Sequence, residues 1–159
     1  MDEQKVFFDP TAFDSELLAA VARTGICSDY YALCNQFPNI SSTETPKLPT
    51  IEILQVASNR IALKKEKGVG RLFGVTDLPL EFRLYFIIQY SRIVETEIVL
   101  QFQNKTITTT FAILCNRVTQ YAGGGDVLYP RPVAPTVEEL ITIFVRLREI
   151  MLKLATMCI

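Results

Sequence analysis

The last twenty-odd residues constrain the fold most. Thr136 and Glu139 stand in a T-x-x-E capping-box pattern, which marks a helix start. From there Val137, Leu140, Phe144, Leu147, Met151, Leu154 and Cys158 alternate at three and four residues, an a/d stripe of about three heptads. Ile141, Ile143, Val145, Ile150, Leu152 and Met157 widen that stripe well beyond a simple seam. Only Glu138, Thr142, Arg146, Glu149 and Lys153 are left to form a narrow polar strip. A helix this apolar must be covered on most of its sides. Its own sheet would cover one face. Two readings then stand side by side: burial within the chain alone, or burial plus contact with a partner through Val137, Leu140, Phe144, Leu147, Met151 and Leu154.

The middle of the chain carries the sheet. Phe82–Tyr90, Ile93–Phe102 and Thr106–Cys115 are rich in β-branched and aromatic residues, which suit strands. Ile98, Leu100 and Phe102 alternate with Val99 and Gln101, and Gln103-Asn104-Lys105 makes a short connection where asparagine tolerates a left-handed backbone. Three antiparallel strands follow from this. Asp77 and Pro79 leave a helix start at the Phe82 segment as the alternative, and with it an all-helical fold.

Helices precede the sheet. Asp9-Pro10 or Thr11 can open the first, with Phe13, Leu17, Leu18 and Val21 on one side and Gly25 as its stop. A shorter helix from Ser28 carries Tyr30, Tyr31, Leu33 and Cys34. Thr50 reads as the N-cap of a helix of about 17 residues, with Lys64, Lys65 and Lys67 at its negative pole and Gly68 just beyond. Residues 38–49 and 121–135 hold prolines and glycines without periodicity and read as loops. The expected architecture is α+β: a small antiparallel sheet of about three strands, N-terminal helices and a long, very apolar C-terminal helix. At 159 residues the chain (1–159) suits a single domain.

Composition narrows the function. The chain has no histidine, the commonest general base and metal ligand. That excludes a Ser-His-Asp triad, a Cys-His pair and mixed Cys/His zinc sites. Cys27, Cys34, Cys115 and Cys158 form no CxxC and have apolar neighbours, so they read as buried, reduced thiols. No cofactor and no metal are expected. The opening MDEQK is polar rather than an apolar leader, and no stretch is apolar enough to span a bilayer. The sequence therefore predicts a cytoplasmic or nuclear protein, and the triplets at Asn39 and Asn104 carry no glycosylation meaning.

Apolar residues make up 49% and charged residues 21%, which favours dense packing or apolar association. The net charge of −1 gives no bulk attraction to nucleic acid. One local cluster stands out. Arg60, Lys64, Lys65, Lys67 and Arg71 oppose a single acid, Glu66, a local excess of +4 over residues 60–71. With Gly68, Gly70 and Gly74 it could cradle a phosphate or a nucleic-acid backbone, although the spacing matches neither GxGxxG nor the P-loop. Glu95 and Glu97 sit two apart in a strand, on one face, and Asp126 lies beside three glycines. Both read as solvated or turn positions before they read as cation sites. Thr106, Thr108 and Thr110 would share one face of the last strand.

Three functions compete. The first is a non-catalytic interaction or assembly protein, a homo-oligomer or structural subunit of a larger complex or coat, with itself or another protein as partner. The second is nucleic-acid binding through residues 60–71. The third is an enzyme using carboxylate or lysine chemistry, which needs Glu81, Glu95 or Asp126 to meet a lysine or tyrosine of shifted pKa.

Overall fold

Five strands pair in chain order into one antiparallel sheet: β1 Leu63–Glu66, β2 Arg71–Val75, β3 Arg83–Gln89, β4 Ile93–Phe102 and β5 Lys105–Thr109. Three α-helices precede it, α1 Ser15–Thr24, α2 Ile26–Gln36 and α3 Thr50–Ala57. Two follow, α4 Phe111–Tyr121 and α5 Val137–Ala155. The computed structural model describes residues 13–38, 47–68, 71–79, 81–90, 92–124 and 129–158. The start expected at Asp9-Pro10 or Thr11 lies outside them. The fold class is the expected α+β, with two strands more than the sequence suggested.

One extra strand comes from the segment read as the end of a long helix, the other from the glycine-rich stretch just beyond it. α3 stops at Ala57, after two turns. The Ser58 hydroxyl donates to the Gln55 carbonyl, and the amides of Arg60 and Ile61 both donate to the Ala57 carbonyl, which ends the helical ladder. The chain then enters β1, so Lys64 and Lys65 lie in an edge strand rather than at a helix terminus. Lysines on a sheet edge discourage pairing with another strand. The last strand is also shorter than its sequence suggests. It ends at Thr109, because the Thr110 hydroxyl accepts from the Ile113 amide at 3.0 Å and caps α4. Residues 111–115 are therefore helical. Phe82–Tyr90 is a strand, and Gln103 and Asn104 make a left-handed two-residue turn at φ 51° and 64°.

Alternation along the strands sorts the side chains. Leu84, Phe86 and Ile88 on β3, Val94, Thr96, Ile98 and Leu100 on β4, and Ile107 and Thr109 on β5 are buried on one face. The helices gather there. α5 lies across β3 and is flanked by α2 and α3, while α4 contacts α1, α2 and β4. Phe144 of α5 stacks on Phe86 of β3 with centroids 4.0 Å apart and planes 4° from parallel, and Phe73 of β2 closes in at 6.1 Å.

That placement accounts for the breadth of the apolar stripe. Val137, Leu140, Phe144, Leu147, Met151 and Leu154 are all buried in the chain's own core, none more than 6% exposed. Ile141, Ile143 and Ile150 are buried as well, because helices stand on both sides of α5. These side chains are not presented to a partner, as the sequence suggested. With five strands and two flanking helices, the domain has enough apolar surface of its own to cover α5. The polar strip then ties α5 to its neighbours: Lys153 to Asp29 of α2 at 2.8 Å, Arg146 to Gln36 of α2, and Thr142 to Arg60 at 3.1 Å. Arg148 adds a two-pronged pair with Asp77 in the β2–β3 connection, at 3.0 and 2.9 Å.

The second expected loop begins within a helix and ends docked on the sheet. Tyr121 ends α4, and the stretch before α5 docks against the sheet. β5 covers β4 only from Ile98 onward. Beyond that, the Phe111 amide donates to Thr96 Oγ1, the Val94 amide to the Pro132 carbonyl, and the Ala134 amide to the Arg92 carbonyl. The edge that β5 leaves is thus closed by the chain itself.

Candidate interaction surface

The other face of the sheet holds the remaining set of strand side chains, and these keep partial exposure. Register aligns them in rows. One row runs Glu66, Leu72, Ile87, Glu95. The next runs Lys64, Gly74, Tyr85, Glu97. A third runs Arg83, Val99, Thr108. Leu72, Tyr85 and Ile87 therefore form an apolar centre on the adjacent strands β2 and β3. Lys64 and Glu66 bound it on β1, and Glu95 and Glu97 bound it on β4.

Gly74 is part of this arrangement. A Cβ there would come within 3.3 Å of the Tyr85 ring and 3.1 Å of Glu66 Oε1. The glycine leaves room for the Tyr85 ring to approach β2, so its presence has a packing reason. The phosphate-cradle reading loses its glycine here. Gly68 sits in a strand-to-strand connection with no helix opening after it, and Gly70 lies outside the described residues.

The basic residues do not converge. Arg60 is engaged by Thr142 and, at 4.0 Å, by Glu138 of α5. Lys64 faces the outer side opposite Gly74, while Lys65 faces the other side, its ammonium 5.8 Å from the Phe73 ring centre and donating to the Glu66 carbonyl. Lys67 is exposed beyond the end of β1. Arg71 donates to the Leu48 carbonyl, its Nε and Nη1 are buried without a hydrogen-bond partner, and burial lowers its pKa. Five charges that look continuous along the chain are split between two faces, a helix contact and a half-buried pocket.

The carboxylates are equally dispersed. Glu95 and Glu97 do share the outer face. Glu95 is half-buried, and burial raises its carboxyl pKa, partly offset by the Thr96 amide and by Arg131 at 3.6 Å. Arg131 also donates to Gln89 at 2.7 Å, so it clamps β3 to β4 from the outer side. Glu81 lies before β3, at the end of that strand remote from Ile87 and its neighbour Glu95. Asp126 lies outside the described residues. Burial raises the pKa of the Tyr30 phenol, but its hydroxyl is bound to the Pro130 carbonyl at 2.7 Å, a structural tie. Among the described residues no group of three Cys, Asp or Glu is set to hold a metal ion, and no helix is long and apolar enough to cross a membrane. The threonines divide too. Thr106 and Thr108 face outward, Thr109 is buried, and Thr110 caps α4.

The apolar centre on β2 and β3 escaped the sequence reading because β2 itself did. Its signal was the Arg71-Leu-Phe-Gly-Val run, masked by the neighbouring glycines. Comparison with known proteins finds no matching family model, no matching curated protein and no matching solved structure.

Proposed function

We propose that the chain is a non-catalytic protein–protein interaction or assembly protein, a homo-oligomer or a structural subunit of a larger complex. The observation that supports this is the outer sheet face, with Leu72, Tyr85 and Ile87 in its middle and charged residues along both flanks. An apolar centre with a polar rim is the anatomy of a protein interface. A sheet face turned to water ordinarily alternates polar residues there. Tyr90, at the β3–β4 turn and 86% exposed, adds a large aromatic ring at the end of the same hairpin. The missing histidine and the dispersal of the titratable groups support a non-catalytic role. The interface moves from α5, as the sequence suggested, to the sheet.

Leu72→Lys and Ile87→Lys test the proposal. Each new lysine stands beside an acid in register, Glu66 or Glu95, so the fold tolerates the charge. Light scattering across a concentration series should show association of the parent chain and its loss in both variants. A parent chain that stays monomeric at every concentration, or variants that associate as it does, would refute the assignment.

A further inference from the structure

The sheet ends at β1 on one side, and that edge lies apart from the apolar centre of the outer face. One hydrogen bond fixes which backbone groups point away from the sheet. The Thr76 amide donates to the Ala62 carbonyl at 3.0 Å, so Ala62 and Thr76 form a hydrogen-bonded pair. Continuing that pattern along the register, Lys64 and Glu66 turn their amides and carbonyls to Gly74 and Leu72 of β2. Leu63 and Lys65 turn theirs to the open edge. Among the described residues nothing bonds to those outward amides and carbonyls. The side chains around them are basic and exposed: Lys64, Lys65 and, just past the strand, Lys67. The ion pairs among the described residues engage Arg60, Lys105, Arg131, Arg148 and Lys153, and none of these three lysines.

We propose that β1 accepts an added antiparallel strand, an extended acidic segment of another protein with two adjacent carboxylate side chains. Backbone bonds to Leu63 and Lys65 hold such a strand, and side chains select it. The register sets the order of its residues. One acid stands opposite Lys65, in a hydrogen-bonded pair, and the next stands opposite Lys64, where facing Cβ atoms come within about 4.5–5.5 Å. The residue after them meets Leu63, which is half-buried against the core, and is apolar. The residue before them meets Glu66 and is uncharged.

The placement of the lysines favours this occupant over two others. Lys64 faces the outer side of the sheet and Lys65 the inner side, so a phosphate backbone laid on either face meets only one of them. A strand beside β1 alternates its own side chains up and down and meets both. A second copy of β1 is opposed by charge, because the central antiparallel registers set Lys64 against Lys64 or Lys65 against Lys65. The lysines that keep two copies of this edge apart thus suit a partner of opposite sign.

The test is fluorescence anisotropy of the full chain with a labelled synthetic peptide, acetyl-Thr-Val-Thr-Glu-Glu-Val-Thr-amide. Its two glutamates align with Lys65 and Lys64, and the valine after them with Leu63. Binding should weaken as salt rises. Lys65→Pro removes only an amide that points to the open edge, a change edge strands tolerate, and should weaken binding about tenfold or more. Circular dichroism checks the fold of that variant. Two methylated peptides give the same reading on the parent chain with no substitution at all. N-methylation of the first glutamate and of the valine after the pair strips the bonding amides and should abolish binding. N-methylation of the second glutamate, whose amide points away from β1, should leave it within about threefold. The readout does not require the chain to self-associate, so it stands apart from the test of the outer face. A parent chain that does not bind the peptide, or that binds both methylated forms alike, would overturn the proposal. So would displacement of the peptide by oligothymidylate of equal charge at equal concentration, which would reduce the edge to a patch of charge.

Discussion

Replacing Phe144 with alanine removes a whole ring from a site with no solvent exposure. The ring lies 4.0 Å over Phe86 and 6.1 Å from Phe73, so β2, β3 and α5 lose their common contact. Rigid strands on one side and two helices on the other leave little room for collapse. Truncations of this kind cost about 3–5 kcal/mol, of which about 0.5–1.5 kcal/mol is the loss of the aromatic pair. That is a fifth or more of the roughly 5–15 kcal/mol that stabilises an ordinary domain. The assay is guanidinium unfolding followed by circular dichroism, repeated over a tenfold range of protein concentration. A core position gives a midpoint that falls in the variant and does not depend on concentration. An interface position gives a small change in the folded chain and a midpoint that tracks concentration. A loss under about 1 kcal/mol together with an altered oligomeric state would refute the core placement of α5.

Three further outcomes follow from single contacts. Thr96→Val keeps the side-chain shape but strips the Phe111 amide of its buried acceptor at 3.1 Å, which should destabilise by about 1–3 kcal/mol in the same unfolding assay. Tyr90 has a left-handed backbone at φ 49°, which an aromatic residue adopts at a cost, so Tyr90→Gly should stabilise by roughly 0.5–1 kcal/mol; a lower midpoint would show that the turn carries no strain. Glu95 has its carboxyl pKa raised by burial, so the folded state holds its proton more tightly than the unfolded state does. Stability from this group is therefore gained as pH falls through the folded pKa and lost as pH rises above it. Thermal midpoints of Glu95→Gln against the parent should diverge as pH rises from about 4 to about 7, and a constant difference would contradict the assignment.

The elements that stood alone in pattern were legible from residues. Thr136, with its hydroxyl accepting from the Glu139 amide at 3.2 Å, and the stripe behind it gave α5 its start and its extent. Gly25, at φ 75°, ended α1 as a glycine should. The Asn104 turn and its two strands followed from alternation and one residue that accepts a left-handed backbone. What failed was the assignment of partners to surfaces. The spacing of Ile53, Ala57 and Ile61 suits a helix, but Ser58 and Asn59 interrupt it, and a four-residue edge strand with two lysines shows almost no alternation. Without β1 and β2 the sheet is too small to cover α5, and the sequence then calls for a partner that the chain itself supplies. The same omission hid the outer face, since its apolar centre needs Leu72 of β2 beside Ile87 of β3. Charges adjacent along a strand point to opposite faces, which is why the basic run from Arg60 to Arg71 dissolved in three dimensions.

Sedimentation velocity of the parent chain beside Ile87→Lys, over a wide concentration range, tests the interaction role most directly. The account predicts a discrete associated species in the parent and a folded monomer in the variant. A parent that sediments as a monomer throughout, with Ile87→Lys indistinguishable from it, would contradict the assignment of the outer sheet face as an assembly surface.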